Sequence, residues 1–136
     1  MFRQVLLMAT LAAAPFAATT VSSQTPAPGP GSVCAAGEHH AAIRHSLVKP
    51  GQWGAFAEAV AAHNSWYVSH ANKTTTNLVR VVKPGAGGFA LSPAEAVTIT
   101  RYADAPPPAH DAAYDAFTAQ YKASSELKDE VRVCMP

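Results

Sequence analysis

Cys34 and Cys134 are the only cysteines in the chain, and they bracket almost everything in it that has the composition to fold. A bridge between them obliges the first and last elements of the fold to lie side by side. Whether they bridge depends on the compartment. The first residues, MFRQVLLMATLAAAPFAATTVSSQ, carry one arginine, Arg3, then an apolar run from Val5 to about Ala18 broken by Pro15, then small residues through Ser23. That is the pattern of a secretory signal peptide over 1–23, and its apolar run is short for a bilayer span. Ala18 and Ser23 both fit as its last residue. An exported chain meets an oxidising space, so a Cys34–Cys134 disulfide is expected in a periplasmic or secreted protein. Closing so long a loop is worth about 4–5 kcal/mol at most by chain entropy.

Residues 24–36, QTPAPGPGSVCAA, offer proline, glycine and small side chains with little to pack, so a flexible linker precedes a domain over 37–136. The 136 residues are 49% hydrophobic, enough for one domain with a core. Only 14% are charged, the formal net charge is +1, and no basic run occurs. Nucleic acid is therefore not an expected partner. No second long apolar stretch is present, so no membrane association is expected after signal removal. The thin charged coat leaves room for a homodimer.

Glu38 to Val48 reads EHHAAIRHSLV, a strand pattern with His45 on the apolar face of Ile43 and Leu47. Lys49-Pro50-Gly51 breaks it. In the next segment Trp53, Phe56, Val60, His63, Tyr67 and His70 recur at three or four residues, which predicts a helix. Leu78–Lys83 is β-branched and strand-like. Pro84–Gly88 reads as a mobile glycine-rich turn, and Ala94–Tyr102 alternates as the second arm of a hairpin. After three prolines, His110–Lys128 places Tyr114, Phe117 and Tyr121 at helical spacing, with Asp111 and Asp115 near its start, where negative charge is favoured. Val131–Met135 closes the chain as a short strand.

The order β-α-β-β-α-β is the ferredoxin-like plan, an α+β fold with an antiparallel four-stranded sheet. In that plan the first and last strands are antiparallel neighbours, so the start of one lies beside the end of the other. Cys34 and Cys134 occupy those two ends. Fold and disulfide are inferred from different residues and agree.

The segment IRHSLVKPGQWGAFAEAV, Ile43–Val60, resembles the opening of dimeric α+β barrel proteins, in the antibiotic-biosynthesis-monooxygenase-like and NIPSNAP-like groups. There a strand ends in a Lys-Pro-Gly-type turn, matched by Lys49, Pro50 and Gly51, and a helix follows with an aromatic, matched by Phe56. The resemblance implies two sheets packed face to face in a dimer, with a pocket between each sheet and its helices. Members include cofactor-free oxygenases, haem-degrading enzymes and isomerases, and fold does not choose among them. The haem-degrading members use an Asn, a Trp and a His at separated positions. Here His63, Asn64 and Trp66 share one helix, so that role is not carried over.

The stretch HNSWYVSH, residues 63–70, is the candidate site. One reading packs Phe56 and Val60 on the sheet and leaves His63 and Tyr67 hydrogen-bonded at its rim. The functional reading is a pocket in which His45, Asn64, Trp66 and Tyr67 bind a small apolar or aromatic ligand and His63 or His70 acts as a base. No cofactor is expected. No metal is expected either: His63 and His70 are two turns apart, roughly 10 Å, and His39 and His40 point to opposite strand faces. No nucleophile elbow, phosphate loop or dinucleotide fingerprint occurs. Asn72-Lys73-Thr74 fits a glycosylation acceptor. Arg101 shares the face of Val97 and Ile99 and is read as a strand-end salt bridge rather than a pocket anchor.

The expectation is thus an exported small-molecule-binding or accessory protein. The alternatives are a cofactor-independent monooxygenase-like enzyme and a structural protein that uses Trp66 and Tyr67 as a dimer contact.

Overall fold

The computed structural model describes residues 33–35 and 37–136. The expected signal peptide and most of the linker lie outside them. The elements are β1 (His39–Val48), α1 (Trp53–Ser69), β2 (Thr75–Gly85), β3 (Gly88–Arg101), α2 (Ala112–Ser124) and β4 (Ser125–Met135). The four strands form one antiparallel sheet in the order β2-β3-β1-β4. The first and last strands are neighbours, and Cys34 and Cys134 are bridged with their Cα atoms 5.5 Å apart.

Lys49-Pro50-Gly51 has a clear physical job. Gln52 N–H donates to Lys49 C=O at 3.0 Å, and Gly51 has φ +74°, the left-handed position that such a turn gives to glycine. Lys49 Nζ then reaches the carbonyls of Lys122 and Ala123, at 3.0 and 2.8 Å. A cation there satisfies the orphan carbonyls at the end of α2 and complements its dipole. Asp111 does the opposite task at the start of α2, accepting from the Tyr114 N–H at 2.9 Å as N-cap.

The structure departs from the sequence expectation at the end of α2 and in the hairpin. Ser125 to Lys128, expected to continue the helix, belongs to β4. Its helical composition is overridden by pairing: Ser125, Glu126 and Leu127 face Val48, Leu47 and Ser46 across the ladder. Ser124 and Ser125 hydroxyls donate back to Tyr121 C=O, at 3.3 and 3.0 Å, which helps the helix to stop. The hairpin is also longer than expected. The ladder runs out to Gly85 opposite Gly88, so the glycine-rich segment is a tight turn rather than a long mobile loop.

The sheet's two faces are unlike. The helices cover the face carrying the rows Leu78–Thr98–Arg44–Glu130 and Thr76–Thr100–Ala42–Arg132. By strand alternation the opposite face carries Asn77–Ile99–Ile43–Val131 and Val79–Val97–His45–Asp129. Among the described residues no helix packs on that second face, and Val79 and Val131 are exposed on it. The polar side of the sheet is therefore the roofed one.

Under the roof, Phe56, Val60, Val48 and Ala96 form one buried cluster, and Trp66, Tyr67 and Phe117 form a second between the helices. Among the described residues no helix is long and apolar enough to cross a membrane.

Candidate functional site

Between the two buried clusters and the polar strand face lies a cavity of about 530 Å³. Its floor is Arg44, Thr76, Thr98 and Thr100. Its walls are His63, Trp66 and Tyr67 from α1, and Tyr114, Phe117 and Tyr121 from α2. Exposed lining residues, Pro107, His110, Lys122, Leu127 and Arg132, mark the opening on the side of α2 and β4. The wall is continuous ring on ring: His63 stacks on Phe117 with centroids 4.6 Å apart, and Trp66 meets Tyr114 edge-on at 5.1 Å.

The floor is a connected polar network. Arg44 donates from Nε to Glu130 at 2.5 Å, from Nη1 to Thr100 Oγ1 at 3.3 Å and from Nη2 to Tyr102 Oη at 3.3 Å. Thr100 and Thr76 hydroxyls are 2.9 Å apart, and Thr76 Oγ1 lies 3.4 Å from His63 Nδ1. Arg44 can only donate, so Thr100 Oγ1 accepts from it. Either threonine hydroxyl can be the donor in the Thr100–Thr76 contact, and the His63 tautomer decides whether Nδ1 accepts from Thr76 or donates to it.

Burial, reinforced by the Arg44 charge, pushes His63 down to about 4, so its imidazole is neutral at pH 7. Burial pushes Tyr67 up to about 12, and it raises Tyr121 as well, so both phenols stay protonated. Burial opposes the Arg44 charge, but its bonds to Tyr102 and Glu130 more than offset this and hold it firmly cationic. Glu130 is also disfavoured by burial, yet Arg44 and Arg132 keep its carboxyl below the usual range.

The candidate residues of HNSWYVSH separate into three roles. His63, Trp66 and Tyr67 line the cavity. Asn64 does not: its amide clamps the Thr76 backbone, donating to C=O at 2.8 Å and accepting from N–H at 2.7 Å. His70 lies beyond α1 and outside the cavity lining, with Nδ1 2.8 Å from Trp66 C=O and Nε2 3.3 Å from Asp111. His45 is on the other face of the sheet, between Glu95 at 3.5 Å and Asp129 at 3.4 Å. Trp66 and Tyr67 are 3% and 6% exposed, so within this subunit they are core and cavity wall rather than a surface contact patch.

Arg101 makes no ion pair among the described residues; it donates to the main-chain oxygen of Pro136. The residues that sequence reasoning passed over are Arg44, Tyr102, Arg132 and the floor threonines. For Arg44, Thr98, Thr100 and Tyr102 the signal was the alternation of polar side chains in RHS and TITRY, which reads as a solvent face when the helices' position is unknown. Among the described residues no three His, Cys, Asp or Glu side chains group as metal ligands. The chain matches no protein-family model, and no curated protein or solved structure is detectably similar to it.

Proposed function

We propose that the chain is an exported small-molecule-binding protein whose ligand occupies the cavity between helices and sheet. The observation that carries this reading is the cavity's make-up. A volume of about 530 Å³ is in the range of small-ligand sites. Aromatic walls over a few fixed polar groups are their usual chemistry. We read the fold as ferredoxin-like, in the manner of dimeric α+β barrels, with the uncovered apolar face packed on a second copy. The disulfide and the N-terminal pattern suit a periplasmic or secreted location.

The test is native mass spectrometry of the protein purified without added ligand, beside Thr118→Trp, which fills the cavity from its α2 wall. A retained small molecule, or saturable binding from an extract of the producing cells, that is lost in the folded variant supports the reading. Equal behaviour of the two proteins overturns it. Under the enzyme alternative the base falls to His63, the only one of the two candidate base histidines that lines the cavity. With its pKa near 4 it is a weak base at neutral pH, so binding is the reading we favour.

A further inference from the structure

We propose that the cavity's ligand is an organic anion with a flat apolar body, its oxyanion seated against Arg44, Arg132 and Tyr102. The proposal rests on the small-molecule reading of the cavity and adds the ligand's charge and orientation.

It comes from a census of donors. A guanidinium has five N–H groups and no acceptor. Arg44 places three of them, on Glu130, Thr100 and Tyr102, and two remain. Arg132 places one on Glu130 at 2.5 Å and one on Tyr102 Oη at 3.4 Å, and three remain. Tyr102 Oη accepts from both arginines, so its own hydrogen is directed elsewhere. The three side chains all line the cavity. What they leave over is donors only, on three side chains that line one cavity.

The charges point the same way. Glu130 is shared by two guanidiniums, one on each carboxylate oxygen, so the cluster keeps one uncompensated positive charge. Glu130 holds both by Nε, and every Nη of the two guanidiniums keeps at least one unplaced N–H with which to donate to a carboxylate or sulfonate. The cavity lining carries Arg44, Lys122 and Arg132 and no Asp or Glu. From that corner the space runs under Tyr114, Phe117, Trp66 and His63, whose rings suit a flat apolar body.

The experiment compares two fluorescent probes that differ by one group. 8-Anilinonaphthalene-1-sulfonate carries the anion, and N-phenyl-1-naphthylamine is the same skeleton without it. Each is titrated into the disulfide-bonded protein. The sulfonate is expected to bind about tenfold more tightly, the scale of one charge-assisted contact. Arg132→Gln, at an exposed position, removes most of that advantage and leaves the neutral probe unchanged. Glu130→Gln frees both guanidiniums and raises sulfonate affinity further. Circular dichroism confirms that each variant is folded. Equal affinity for the two probes, or variants that move both alike, overturns the anion proposal. Neutral-probe binding that Thr118→Trp blocks then leaves the cavity reading standing. Failure of both probes to bind overturns the proposal and counts against the cavity reading itself.

Discussion

Trp66 Nε1 donates to Asp111 Oδ1 at 2.9 Å, and that carboxylate oxygen also accepts the Tyr114 N–H that opens α2. One oxygen thus joins the wall of α1 to the cap of α2. Trp66→Phe keeps a ring in the aromatic cluster and deletes the bond. The expected loss is about 1 kcal/mol in urea denaturation, with α2 loosened at its N-terminus in hydrogen exchange. The bond also helps to hold the Asp111 carboxyl below its ordinary range, after the larger effect of the Tyr114 N–H. A depressed carboxylate stabilises the fold above its unfolded pKa and loses that contribution as pH falls through the folded value. Trp66→Phe is therefore expected to lose less stability than wild type on strong acidification.

His63 gives a pH dependence in a different window. Its pKa is 6.5 in an ordinary setting and about 4 in the fold, lowered by burial and then by Arg44. Between those values the unfolded chain takes up a proton that the folded chain refuses. Stability from this residue is complete above 6.5 and falls as pH drops toward 4, by about 3 kcal/mol at most. Urea midpoints at pH 7 and pH 5 measure it. In His63→Gln the decline across that interval shrinks, because glutamine does not titrate. An unchanged decline means that the imidazole is solvated and that burial and Arg44 do not depress it.

The end of α1 stores a small strain. Ala71 has φ +51°, its N–H donates to Val68 C=O, and Asn72 N–H donates to Tyr67 C=O. That is the hydrogen-bond pair of a Schellman cap, whose left-handed residue is usually glycine. Ala71→Gly relieves a Cβ clash and should stabilise the fold by about 0.5–1 kcal/mol, net of the extra freedom of the unfolded chain. Thermal melts of the two proteins decide it, and a destabilised variant removes the strain argument.

Much of the architecture is legible in the chain because it rests on local causes. Trp53 to Tyr67 shows its helical period, Lys49-Pro50-Gly51 its turn, and Cys34 with Cys134 the adjacency of the first and last strands. What is illegible depends on partners distant in sequence. SELKDE has no β-branched residue, and only its ladder to β1 makes it a strand. The cavity is harder still. Alternation separates Ile43, Val97 and Ile99 from Arg44, Thr98 and Thr100, but it does not say which set the helices cover. The ordinary rule, apolar side to the helices, selects the wrong one, and it puts His45 with His63 although the sheet lies between them. Within 63–70 the helical stripe correctly joins His63 to Tyr67. It cannot show that Asn64 has a strand backbone to clamp or that His70 lies past the helix end.

The same inversion supplies the last prediction. Ile99 pairs with Ile43, and Ile43 with Val131, on the face without helices. Val97 adjoins them, and the polar trio His45, Glu95 and Asp129 borders the patch. Two such sheets face to face would cover the apolar rows at the usual spacing of about 10 Å. Ile99→Lys places a charge at the middle of that contact. It costs little in one subunit, where a lysine on the uncovered face reaches water, and much in the pair, where it is buried unpaired. Light scattering coupled to size exclusion is expected to show a dimer for wild type and a monomer for Ile99→Lys, with circular dichroism unchanged. A wild-type monomer, or a variant that still dimerises, shows that this face is not a contact between two copies of the chain.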